Sequence, residues 1–201
     1  MTKTPRAESA KKTAMKPKFP KLVAFCGPKG SGKDAAAAML KGHKTVKFAG
    51  ALKTMVASLI QFSGCEPRNV PYWIEGEGKE KPCPFLCDIT PRHAMQTLGT
   101  EWGRKQMNTD FWVKITEAHI GSLGNVPIVI TDLRFPNERD LVNRLGGVTV
   151  RIRPSNYDPK DTHESEQHVM SMSTDIEVFN TFDGLEGFHN TLRTVLDGYT
   201  K

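Results

Sequence analysis

Leu22–Leu40 reads LVAFCGPKGSGKDAAAAML. Five apolar residues, a glycine-rich turn and a helix-favouring run follow one another without a break. The turn, Gly27-Pro28-Lys29-Gly30-Ser31-Gly32-Lys33, spells G-x-x-x-x-G-K. Gly27, Gly30 and Gly32 let the backbone take positive φ and approach a triphosphate closely. Successive N–H groups then point inward as an anion nest at the start of the next helix. Lys33 is spaced to reach the outer phosphates. Asp34 stands where this motif usually offers a Ser or Thr hydroxyl to Mg²⁺. A carboxylate can also hold Mg²⁺, directly or through water, and it equally suits the first turn of a helix. Lys29 offsets its charge.

Working outward, strands and helices alternate. Thr45–Phe48 reads as a strand and Leu52–Phe62 as a helix. Gly64–Asp88 is long and irregular, rich in Pro, Gly and charge, a kind of segment that tends to be functional. Thr90 is a fitting N-cap with Pro91 at the first helical position, opening a helix that runs to Asn108. Phe111–Ile120 is helical, and Pro127–Thr131 is a β-branched, buried strand. Phe135–Leu145 is helical and stops at Gly146-Gly147. Val148–Arg153 and Ile176–Phe179 are strands, Asp161–Met172 is polar, and Leu185–Leu196 closes as a helix. This order predicts an α/β domain with a parallel sheet covered on both faces.

Length and charge narrow the class. At 201 residues with 38% apolar content, one catalytic domain is the simplest reading. The formal net charge is +6, but Met1–Pro20 sets six cations against Glu8 alone, a net of +5, leaving +1 for the rest. A nucleic-acid reader carries its excess on a folded face, so nucleic acid is not expected as a partner. Residues 1–20 read as a disordered basic tail and 21–201 as the folded domain. No 18-residue apolar run occurs, so no membrane span is expected and a cytoplasmic protein is. Cys26 belongs to the apolar strand. Cys65, Cys83, Cys87 and His93 leave two options open, a zinc site of loose spacing or free thiols in a loop.

Ile128-Val129-Ile130-Thr131-Asp132 is an apolar strand ending in an acid downstream of the phosphate loop, the arrangement that places a carboxylate on Mg²⁺ at the sheet's carboxyl edge. Asp34 and Asp132 are therefore the candidate metal residues. Arg134 is a candidate for the transferring phosphoryl, or else the surface partner of Glu138 one turn later.

The loop Gly27–Asp34, Phe48-Ala49 before Lys53, the block TPRHAMQTLGTEWGRKQMNTDFWV (90–113), ITDLRFPNE (130–138) and His163-Glu164-Ser165-Glu166 together resemble the phage-type deoxynucleoside monophosphate kinases. The family's loop also ends in GKD. The resemblance spans Lys21 to the closing helix and implies a three-layer nucleoside monophosphate kinase fold. That fold carries a helical acceptor-binding region, assigned to 49–125, and a lid, assigned to 154–174. It implies ATP and Mg²⁺ as cofactors, a dNMP as acceptor, a homodimer, and, for a phage-encoded enzyme, the host cytoplasm as its place and DNA precursor supply as its role.

The residues themselves agree with phosphoryl transfer, which is mostly positioning and charge neutralisation. Lys33, Asp132 and Arg134 are the expected catalytic set. Gly27, Lys29, Gly30, Ser31, Gly32, Lys33, Asp34 and Arg153 are expected around ATP. Lys53, Arg92, Gln96, Glu101, Arg104, Trp112, His163 and Glu166 are expected around the acceptor, whose dianion needs its own cations. Trp102, Phe111 and Trp112 either stack on the base or fill the core. An ideal helix puts Arg92 and Arg104 about 18 Å apart, which predicts different roles for them. Two other readings share the donor loop: a kinase of another small acceptor (phosphomevalonate or dephospho-coenzyme A type), or a nucleic-acid-associated ATPase that uses the basic tail.

Overall fold

In a computed structural model, residues 19–155, 169, 171–197 and 199 are described. The basic tail, His163 and Glu166, and most of the expected lid lie outside them. Five parallel strands form one sheet in the order β2-β3-β1-β4-β5. They are β1 (Leu22–Cys26), β2 (Lys44–Val46), β3 (Ile128–Ile130), β4 (Val148–Pro154) and β5 (Ile176–Asn180). β1 is central, with Ala24 opposite both Ile130 of β3 and Thr149 of β4.

Both faces of the sheet are covered, which explains the unbroken apolar runs of β1 and β3. On one face Val23, Phe25, Val150 and Ile152 pack with Met39 of α1 (Lys33–Met39) and with Leu192 and Leu196 of α7 (Leu185–Asp197). On the other face Ala24, Cys26, Ile128 and Ile130 meet Val113 of α5 (Phe111–Ser122) and Leu141 and Val142 of α6 (Pro136–Arg144). The expected three layers are therefore present.

A third cluster belongs to the helical region between β2 and β3. Leu52, Val56 and Ile60 of α2 (Gly50–Phe62) pack with Ile74 of α3 (Val70–Ile74), Met95 of α4 (Pro91–Gln96), Cys65, Cys83 and Trp112. Two expectations are corrected here. Gly64–Asp88 is not simply irregular: it holds α3 and short 3₁₀ turns at Pro67–Asn69, Glu77–Glu80 and Pro84–Leu86. Prolines that cannot continue a preceding turn begin several of these pieces, and the buried residues Cys65, Ile74 and Cys83 pin the segment to α2.

The helix opening at Thr90 is the second correction. Thr90 Oγ1 accepts the His93 N–H at 3.2 Å, as its N-cap role requires, but from Thr97 to Met107 the chain winds as a π-helix. Trp112 supplies the physical reason. Its indole lies against Gly103, where an added Cβ would sit 2.4 Å from Nε1, and its Nε1–H donates to Gly99 O at 2.8 Å. A ring that claims a helix carbonyl and fills the space of a missing side chain favours the wider winding.

Candidate active site

The phosphate loop leaves β1 at Gly27, which has φ 148°. A Cβ there would stand 2.5 Å from Ile152 O and 2.6 Å from Ser31 Oγ, so only glycine fits. The Lys33 ammonium folds back over the loop and donates to Gly27 O at 2.8 Å and Pro28 O at 2.7 Å. Ser31 Oγ is buried without a hydrogen-bond partner among the described residues. A tight glycine cradle, a lysine laid across it and an orphaned hydroxyl are a donor set suited to phosphate oxygens.

Two residues not anticipated from the sequence brace this loop and the helix it opens. Asn180, at the end of β5, donates from Nδ2 to Ser31 O at 3.0 Å, and its Oδ1 accepts the Phe182 N–H at 3.1 Å. His189 of α7 places Nε2 2.9 Å from Ala35 O.

Beside the loop lies a cavity of about 600 Å³. Lys29 reaches it from the phosphate loop, Phe48, Leu52 and Lys53 from the start of α2, and Arg92, Met95 and Gln96 from α4. Thr100 and Arg104 line it from the π-helix, and Asp132, Arg134, Phe135 and Glu138 from the chain after β3. Trp112 presents an edge to it although the residue is buried. Of the anticipated residues, Lys29, Lys53, Arg92, Gln96, Arg104, Trp112, Asp132 and Arg134 therefore share one cavity. Lys79, Glu80, Thr100 and Glu138 line it as well and were missed.

Gly27, Gly30, Ser31, Gly32 and Lys33 stay in the adjoining loop, and three further anticipated residues stand apart from the wall. Glu101 is exposed and pairs with Lys105 four residues on at 2.9 Å. Arg153 pairs with Glu177 across β4 and β5 at 2.6 Å. Asp34 is exposed in the first turn of α1. Among the described residues, no three His, Cys, Asp or Glu side chains gather as a metal cluster.

Asp132 is half-buried, and each of its oxygens takes one backbone N–H at the entry to α2. Phe48 N donates to Oδ1 and Ala49 N to Oδ2, both at 3.0 Å. Burial pushes its carboxyl above the ordinary range, against the pull of these two N–H groups and of the charges on Lys53 and Arg134. Glu138 is buried beneath the same wall. Its Oε1 accepts from Arg104 Nη2 at 2.6 Å, and its Oε2 accepts the backbone N–H groups of Arg134 at 2.8 Å and Phe135 at 3.2 Å. Burial pushes Glu138 up to about 7, Arg104 pulls it down and Asp132 adds repulsion. The Arg104 guanidinium also lies 3.8 Å from the centre of the Phe135 ring. Arg104 thus ties the π-helix to α6, whereas Arg92 is held by both oxygens of Glu80, its Nε at 2.6 and 2.7 Å. The sequence reading had offered Glu138 as a surface partner of Arg134; it is instead buried, with Arg104 as its ion pair.

A family model described as deoxynucleotide monophosphate kinase matches residues 87–191, a little over half of the chain. The chain belongs to the deoxynucleotide monophosphate kinase family. The match covers most of the cavity wall, including Arg92, Arg104, Asp132 and Glu138, and it stops short of the phosphate loop. Over 122 residues, 57% of this chain, the sequence is 33% identical to a deoxynucleoside-5'-monophosphate kinase of Escherichia phage T5. That alignment takes in 48% of the phage protein, so the chain spans about half the length of this relative. Over 191 residues, 88% of this chain and 96% of the other, it is 29% identical to a protein of Acanthamoeba polyphaga mimivirus whose name assigns it provisionally to the same kinases. Among solved structures, TT1252 from Thermus thermophilus is similar with a TM-score of 0.45 at 15% identity, covering 91% of this chain and 100% of that one.

Proposed function

We propose that this protein transfers the γ-phosphoryl group of ATP to the 5'-phosphate of deoxynucleoside monophosphates, giving dNDPs for DNA synthesis. The observation that carries the reading is the cavity itself. It adjoins the phosphate loop, its volume of about 600 Å³ suits a nucleotide-sized ligand, and cations from six separate segments line it.

Lys33 and the loop N–H groups hold the donor phosphates, and the buried Ser31 hydroxyl supplies one more contact. Lys29, Lys53, Arg92 and Arg134 face the acceptor side, so negative charge is met from both directions as phosphoryl transfer requires. Gln96 and Thr100 offer hydrogen bonds to a base edge, with Leu52, Met95 and Trp112 as the apolar floor. Mg²⁺ neutralises donor phosphate oxygens when bound, with Asp34 and Asp132 as the carboxylates for its shell. The Asp132 oxygens each keep a lone pair beyond the N–H they accept.

The test is a panel of acceptors incubated with ATP and Mg²⁺, with ADP formation followed in a coupled assay. Transfer to one or more dNMPs supports the reading. Transfer only to an isoprenoid or pantetheine phosphate acceptor, or DNA-stimulated hydrolysis without an acceptor, refutes it. Lys33→Ala removes a cation from the transferring group and no core packing, so kcat should fall by roughly 10²–10³ in a folded protein. A homodimer is part of the same reading and is checked by light scattering on the purified chain.

A further inference from the structure

Three cations, Arg92, Lys29 and Lys79, act on one carboxylate at the cavity wall, and a fourth, Lys53, lines the same cavity while paired with Glu75 at 2.7 Å. Glu80 ends the 3₁₀ turn Glu77–Glu80, and both of its oxygens accept from Arg92 Nε. The hydrogen bond from Arg92 draws the Glu80 carboxyl below its usual range, and the charges of Arg92, Lys29 and Lys79 draw it further. Lys79 is half-buried. Burial, together with repulsion from Arg92 and Lys53, pushes its ammonium below the usual lysine range. These cations come from the phosphate loop, α2, the 3₁₀ turn and α4, and all of them line the same cavity. Cations brought close enough to repel one another mark a place built for an anion.

The turn that carries Glu80 is fixed by packing. A Cβ on Gly78 would sit 2.5 Å from Tyr72 Cε1 and 2.8 Å from Trp73 Cε3, so the turn is pressed against both rings. The Glu80 side chain, by contrast, is half exposed at 50%. It can swing into water while the turn stays in place, at the small cost of an exposed ion pair. A carboxylate on a guanidinium has the two-oxygen geometry that a phosphate monoester also presents.

We propose that Glu80 is an internal stand-in for the acceptor's phosphate. Its carboxylate holds Arg92, Lys79 and Lys29 together over the cavity until a phosphate monoester dianion displaces it. The exchange of one anion for another, more highly charged one makes the cavity select dianionic phosphates over uncharged nucleosides. Naming that dianion as the 5'-phosphate of a dNMP rests on the function proposed above.

Glu80→Gln keeps the shape and removes the competing charge. Titration calorimetry with inorganic phosphate, with each of the four common dNMPs and with thymidine reads the effect. Phosphate and the accepted dNMP should bind the variant about three- to tenfold more tightly, thymidine should bind unchanged, and the gain should shrink in 0.5 M salt. In kinetics the dNMP KM falls while the ATP KM stays put, a split that a purely structural role would not produce. Lys79→Met gives an independent arm, with phosphate binding about three- to tenfold weaker and the ATP KM unchanged. Unaltered or weaker phosphate binding by folded Glu80→Gln overturns the inference, as does unaltered binding by Lys79→Met. Tighter phosphate binding in a protein that phosphorylates no dNMP leaves this site standing and refutes the nucleotide reading. Transfer to dNMPs with unchanged phosphate affinity in the variant does the reverse.

Discussion

Replacing Gly103 with alanine tests the link between Trp112 and the π-helix. The new methyl carbon would stand 2.4, 2.6 and 2.8 Å from Nε1, Cε2 and Cζ2 of Trp112, where carbon atoms ordinarily rest at about 3.5–4.0 Å. The indole must retreat by about 1 Å, yet it is buried, bonded to Gly99 O at 2.8 Å and flanked edge-on by Phe111 at 4.9 Å between centroids. Overpacking of this kind costs about 1–3 kcal/mol, and an orphaned buried N–H adds about 1–3 kcal/mol. Alanine's better helix propensity returns about 1 kcal/mol, so a net loss of about 1–5 kcal/mol is expected. Gly121→Ala on α5 is the matched control: a Cβ there meets nothing within 4 Å, and the change should stabilise by about 0.4–1 kcal/mol. Urea denaturation followed by far-ultraviolet circular dichroism measures both. Because Trp112 also lines the cavity, the acceptor KM should rise in Gly103→Ala alone. A Gly103→Ala protein within about 0.5 kcal/mol of wild type, with an unchanged urea slope, would refute the reasoning.

Arg104→Ala should cost about 3 kcal/mol of stability or more at pH 8, because it strands the buried Glu138 carboxylate. Arg92→Ala should leave the melting temperature nearly unchanged and alter dNMP kinetics about 10- to 100-fold; melts and rate assays on both separate the two roles. A carboxyl raised from 4.5 to about 7 on folding binds its proton more tightly in the folded state. Its contribution to stability is therefore full below pH 4.5 and lost as pH rises through about 7, and Glu138→Gln should flatten the pH dependence of Tm across that window. Asp132→Asn should destabilise the entry to α2 as well as slow transfer, since an amide nitrogen must then face the N–H of Phe48 or Ala49. An Asn variant with a wild-type melting curve would show that these two N–H groups are dispensable.

What the sequence made legible was local chemistry. Glycines at 27, 30 and 32 state their backbone needs by residue type, Thr90-Pro91 announces a helix start, and the apolar runs of β1 and β3 announce burial on two faces. The cavity wall was legible only as a set of residue types. Lys53, Arg92, Gln96 and Arg104 belong to it, but Glu75, Glu80 and Glu138, the partners of Lys53, Arg92 and Arg104, are set by tertiary packing. Arg104 and Glu138 meet across 34 positions, and no local pattern encodes that. Glu101 was offered as a hydrogen-bonding residue type alone, and its position five residues from Gln96, well round the helix from it, lets it pair with Lys105 instead. Asn180 and His189 were passed over because each makes its contact with a backbone carbonyl, which leaves no signature in the types of neighbouring side chains.

The ties from Asn180 to the phosphate loop and from His189 to the helix it opens also bear on how the protein comes into being. They close over sequence separations of 149 and 154 residues, and closing a loop of about 150 residues carries an entropy term of roughly 4 kcal/mol. On a ribosome, the strand and helix that brace the phosphate loop and the helix it opens are made some 150 residues after them. At about 5–20 residues per second, the loop waits roughly 8–30 seconds for its braces. The loop therefore gains its full set of braces only once β5 and α7 have been made, and a nascent chain stopped before β5 carries the motif without them.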